Sequence, residues 1–158
     1  MEEIQRMQKN LLLIRRAVGW SAEEFGEQIG VTRQTINNIE SGRNKLTKTQ
    51  YIAMRSVLDA ETAKHPEGTK MLRVLLDALV DHPEKYTDHE ADELLKQANL
   101  MSPSILAGAA TRKEVSDEWI KTAGNISSVV FSVLAGAVVA SSWLLKAITD
   151  TGKNGDKK

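Results

Sequence analysis

The chain has 158 residues, room for one domain and a little more or for two small ones, and its formal charge balances at 21 basic against 21 acidic side chains. Bulk charge therefore announces no polyanionic partner, and the lack of cysteine excludes disulfides and thiolate metal sites. The distribution is less even: residues 1–60 hold nine Lys/Arg against seven Asp/Glu, and residues 61–121 hold eight against twelve.

Taken in order, Met1 to Lys9 is polar with Ile4 and Met7 at helical spacing, and it leads into a first helix. Leu11, Leu12, Leu13, Ile14 and Val18 form that helix's apolar side; Arg15 and Arg16 form its polar side. A start that is charged from Glu2 onward has no signal-peptide core, so secretion is not expected. Gly19-Trp20 ends the helix. Ser21 with Glu24 makes a capping box, in which a hydroxyl and a carboxylate satisfy free N–H groups at a helix start. Phe25 and Ile29 share one face of this second helix, and Gly30 is placed to end it in a left-handed turn. Thr32 then caps a third helix with Ile36 and Ile39 inward, and Ser41-Gly42 ends it. Two short helices joined through a glycine turn are the helix-turn-helix unit.

The outward face of the third helix carries Arg33, Gln34, Asn37, Asn38 and Ser41, with no carboxylate. Arginine binds guanine bidentately, and asparagine or glutamine binds adenine, through edges exposed in the major groove. Arg43, Asn44, Lys45 and Lys48 follow, where a loop would meet phosphates. An ordinary solvated helix face competes with this reading; the glycine turn, the preceding helix and the basic loop in register favour DNA.

Phe25-Gly26, Ile29-Gly30-Val31, Ile36, Ile39-Glu40 and Gly42 stand as in the phage-repressor (Cro/CI, or XRE) helix-turn-helix domains, which the chain resembles from about Leu11 to Leu58. The resemblance implies a five-helix, lambda-repressor-like domain, often dimeric on operator DNA. It implies that Arg33, Gln34, Asn37 and Asn38 read bases, and that Ser21, Thr32, Thr35, Arg43, Asn44, Lys45 and Lys48 hold phosphates. Arg15 would pair with Glu40 to brace the first helix against the recognition helix. Ala22 stands where the family has a glutamine touching DNA, and Gly26 replaces a usual alanine at some cost in helix propensity.

Leu46 to Leu58 is a further amphipathic helix through Tyr51, Ile52, Met54 and Val57. In the family this helix closes the core and often supplies the dimer contact. Pro66 and Gly68 mark a boundary. Beyond it, Met71 to Val80 places Leu72, Leu75, Leu76 and Leu79 on one stripe, and His82-Pro83 stops that helix. Thr87 with Glu90 opens another helix, Ser102-Pro103 reads as a further start, and Thr111 with Glu114 makes a third box. No run alternates like a strand, so the fold class is all-α. His82, Asp88, His89 and Glu90 match no metal-ligand spacing, and no catalytic constellation or phosphate-cradling glycine loop is present. The chain reads as no enzyme, with no cofactor and no metal.

From Thr122 to Leu145 no residue is charged. A spanning helix needs about 20 apolar residues, and Trp119, Trp143, Lys121 and Lys146 sit where interfacial anchors belong. Ser128, Ser132, Gly136 and Ala140 repeat every four residues, a stripe that lets helices approach. A buried or oligomerisation helix is the competing reading; length and flanks favour a transmembrane helix. The expected organisation is a DNA-binding domain over 1–62, a helical middle over 63–121, a transmembrane helix over 122–148 and a polar tail over 149–158. The expected function is a sequence-specific transcriptional regulator, a repressor, with a cytoplasmic head anchored in the cell membrane. Its partners would be double-stranded operator DNA and a second copy of itself. The alternatives are a membrane-anchored or oligomeric scaffold that keeps the fold for protein interaction, and an antitoxin-like regulator of a mobile element.

Overall fold

Met7, Leu11, Ile14 and Val18 recur at three- and four-residue steps along α1 (Glu2–Val18), and all are buried. Leu13 and Ala17 are buried as well, so α1 is apolar over more than one stripe. The cause is its position: α3 and α4 pack on it, and so do α5, the turn after α5, and α6. The computed structural model describes residues 2–123 and 128–135, and every regular element among them is helical.

Local chemistry sets the helix starts. Ser21 opens α2 (Ala22–Ile29) as a complete capping box with Glu24, and Thr32 opens α3 (Arg33–Glu40) by accepting the Thr35 N–H. Thr47 and Gln50 form another box at the start of α4 (Lys48–Lys64), a pair not singled out from the sequence. Phe25, Ile36, Ile39, Leu46, Tyr51, Met54 and Leu58 close on α1 to make the N-terminal core, and Trp20 stacks on Phe25 with ring centroids 5.8 Å apart. Four helices, rather than the five implied by the resemblance, occupy residues 2–64; the next begins only at Lys70.

That next helix, α5 (Lys70–Leu76), is buried nearly all round through Met71, Leu72, Val74, Leu75 and Leu76. It runs into a π-helical turn over Asp77–Asp81, which closes with the His82 N–H on the Asp77 carbonyl at 2.8 Å, and a 3-10 turn over Pro83–Lys85 follows. The expected single stripe was too narrow: α1, α4, α6 (Asp88–Leu106), α7 (Arg112–Ala123) and α8 (Ser128–Ala135) all pack against α5. Apolar burial continues from Met7 on α1 to Val133 on α8 as one cluster. Charged side chains tie the first four helices to the described helices that follow. Arg55, only 3 % exposed, bonds both oxygens of Asp81 at 3.0 and 2.9 Å. Arg112 donates to the Val18 carbonyl at 2.9 Å and to Glu61 at 2.8 Å, pinning α7 to α1 and α4.

Three expectations change. Ser102-Pro103 starts no helix: α6 runs through to Leu106, with Ser102 buried and Pro103 near its end, where one lost backbone bond is tolerated. Trp119 is no interfacial anchor; it is fully buried in the core on α7. Among the described residues no helix is long and apolar enough to cross a membrane. Within the charge-free run, α8 uses Val130 and Val133 to pack into the protein core instead of facing outward. Residues 124–127 and 136–148 of the expected membrane helix, and the 149–158 tail, lie outside the described residues.

Candidate nucleic-acid interface

Two turns of α3 present the side chains expected to meet bases. Ile36 and Ile39 are 0 % and 1 % exposed and fix the helix's roll. Arg33 and Gln34 are therefore turned outward on the first turn and are exposed, while Asn37 and Asn38 follow, half-buried. Gln34 Nε2 donates to Asn38 Oδ1 at 3.0 Å, so these two amides hold each other in place before anything binds. Arg15 Nε and Nη2 donate to Glu40 Oε1 and Oε2 at 2.6 and 3.1 Å, and Arg15 Nη1 also donates to the Trp20 carbonyl at 2.8 Å. Both members of the pair are 9 % exposed in their side chains, and together they lock the end of α3 to the end of α1.

The hydroxyls expected at phosphates are already engaged as caps. Ser21 Oγ accepts the Glu24 N–H at 3.1 Å, Thr32 Oγ1 accepts the Thr35 N–H at 3.2 Å, and the Thr32 and Thr35 hydroxyls lie 2.9 Å apart. A hydroxyl that accepts one bond still has its own proton to donate, so the Ser21 cap is compatible with an anion; of Thr32 and Thr35, one hydroxyl donates to the other, which leaves one proton between them for an anion. Arg43, Asn44 and Lys45 are exposed on the loop after α3, and Lys48 is the first residue of α4. Glu23 and Glu27, exposed on α2, carry the opposite sign.

The tight approach of α2 to α3 depends on two glycines. Gly30 takes φ +76°, which lets the chain turn within three residues. A Cβ on Gly26 would lie 2.6 Å from the Val31 carbonyl oxygen, and the Val31 N–H bonds the Gly26 carbonyl at 2.9 Å. Gly26 is thus required by contact, where the sequence indicated only a weakened helix. Ala22, at 8 % exposure, packs inward, so no side chain from that position reaches out toward DNA.

One residue gave no signal in the sequence. Gln8 on α1 donates through Nε2 to the Ile39 carbonyl at 3.0 Å and the Asn44 carbonyl at 2.7 Å, and its Oε1 accepts the Leu46 N–H at 3.0 Å. Its partners lie more than thirty residues away. A lone glutamine on a polar stretch of helix carries no pattern that marks such a contact.

Residues 11–64 match the family model described as helix-turn-helix. Over these residues the chain is similar to the XRE-type helix-turn-helix domains, a class of DNA-binding transcription regulators. The match ends with the last residue of α4. No curated protein and no solved structure matches the chain.

Proposed function

We propose that the protein represses transcription by occupying a specific operator as a homodimer. Arg33, Gln34, Asn37 and Asn38 read bases from the major groove, while Ser21, Thr32, Thr35, Arg43, Asn44, Lys45 and Lys48 hold the flanking phosphates. The observation that carries this reading is the outward face of α3: four amide or guanidinium side chains with no carboxylate, two of them fixed to each other, beside an exposed basic loop. Genome-wide crosslinking of the tagged protein identifies the operator, and titration on that site tests the roles. Alanine at Arg33, Gln34 or Asn38 is expected to cost about 1–3 kcal/mol on the operator and to leave random DNA nearly unchanged. Alanine at Arg43, Lys45 or Lys48 is expected to weaken both and to flatten the salt dependence by about one unit of slope. Parent-like binding by every variant removes the assignment.

A membrane tether through residues 122–148 is a separate reading, carried by the charge-free run from Thr122 to Leu145, and it requires α8 to leave its place against α5. Alkaline carbonate extraction decides it. Protein that stays in the pellet is tethered, and protein released with the supernatant is not.

A further inference from the structure

We infer that Gln8 is a positioning residue for DNA binding, holding the phosphate-facing loop in register with the recognition helix. This deepens the proposed reading of the 43–45 loop and rests on it.

The side chain makes three hydrogen bonds, and their placement gives them meaning. The bond to the Ile39 carbonyl grips the last turn of α3, a place where backbone acceptors run out of helical partners. The Asn44 carbonyl and the Leu46 N–H lie on either side of Lys45, so the same amide fixes the backbone before and after that lysine. Both faces of the amide are used as their chemistry requires, the nitrogen donating twice and the oxygen accepting once. The loop has ties of its own to α3: the Gly42 N–H on the Ile39 carbonyl at 3.1 Å, the Ser41 hydroxyl on the Asn38 carbonyl at 3.2 Å, and the Asn44 N–H on the Asn38 carbonyl at 3.1 Å. Leu46, 6 % exposed, is the only buried side chain between Ser41 and Thr47. Those ties hold the loop only up to Asn44; past Lys45, with so little packing beneath it, its backbone path is held by Gln8. That path decides whether Arg43 and Lys45 arrive at phosphates together with the bases under α3, or must first give up loop entropy to do so.

Because the contacts at stake are with phosphates, a mixed-sequence DNA duplex is a sufficient probe. Full-length parent, Gln8→Ala and Gln8→Met are titrated across a salt series at a temperature where all three are folded by circular dichroism. The methionine variant keeps the side-chain length and its packing while losing all three bonds. Both variants are expected to bind about tenfold more weakly, with a salt slope lower by about one to two units. Exchange of the Leu46 amide hydrogen, read on the free protein, is expected to quicken in both. A contribution to stability alone would lower the melting temperature and leave affinity and slope at the parent's values; that result overturns the inference. A parent that binds no duplex removes the DNA reading and the inference with it. Faster Leu46 exchange in the variants would then identify Gln8 as a clamp on a loop of other purpose.

Discussion

Arg15 and Glu40 are held by two bonds and almost excluded from water, so each depends on the other to offset its desolvation. Glu40→Ala leaves the guanidinium with the Trp20 carbonyl as its remaining partner. The loss is expected to exceed the roughly 1 kcal/mol of an exposed pair and to approach the roughly 3–5 kcal/mol of a buried one. Thermal melting without DNA checks this, and a melting temperature equal to the parent's would show that the pair contributes nothing. Tyr51 makes a different prediction, about alkaline pH. Burial pushes its phenol up to about 12, with Arg55 drawing it down and Asp81, Glu3 and Asp59 raising it. The unfolded chain then ionises its tyrosine at a lower pH than the folded one. Stability from this source is complete below the ordinary tyrosine range of about 10 and is lost as pH rises toward 12. Burial raises the Tyr86 phenol too, and its bond to Asp77 adds to the same trend. In denaturant titrations, Tyr51→Phe is expected to show a shallower decline over that interval than the parent.

Backbone contact as well as side-chain packing holds the geometry of the α2–α3 pair. The Gly26 carbonyl receives the Val31 N–H, and its hydrogen faces the Val31 oxygen where a methyl group would stand at 2.6 Å. Helix propensity alone favours alanine over glycine by about 1 kcal/mol, so an uncrowded Gly26→Ala would stabilise. Here the approach is to backbone, which cannot swing aside as a side chain can. Gly26→Ala is therefore expected to destabilise by about 1–3 kcal/mol, the usual range for overpacking, and to weaken operator binding by tilting α3. Chemical denaturation checks the sign, and a more stable variant would show that the turn relaxes freely.

Across the whole chain, α1 belongs to both halves. Its residues bury against α3 and α4 on one side and against α5 and α6 on another, while Gln8 reaches the loop after α3 and Arg6 donates to the Val80 carbonyl at 2.8 Å. A head and a middle region that share a helix gain stability together. The same holds at α8, where Val130 and Val133 are 1 % and 8 % exposed on the α5 side of the core. Ending the chain at Ala123 exposes the surface these valines cover. Burial of each contributes about 1.5–3 kcal/mol, so the shortened protein is expected to melt lower than the full chain while still binding DNA through α3. Equal melting temperatures would mean that α8 adds nothing to the fold.

Much of the helix-turn-helix was legible because its determinants are local. Ser21 with Glu24, Thr32, Gly30, and the Ile36–Ile39 spacing each act within four residues, and a capping bond or a helical face of that range can be read along the chain. The outward position of Arg33 and Gln34 follows from the same periodicity. Ser102-Pro103 misled for a related reason: the pair has the form of a helix start, but burial of Ser102 and of Ala98 one turn earlier keeps α6 continuous through it. Long-range contact settled the rest. Gln8 has meaning only because folding brings Ile39, Asn44 and Leu46 to it, and Gly26 only because Val31 returns against it. Trp119 and α8 show the same limit in the apolar half of the chain. Lipid and protein interior both favour apolar side chains, so composition there reports burial but not its partner; Trp119, Val130 and Val133 took protein, because α5 needed covering on every side.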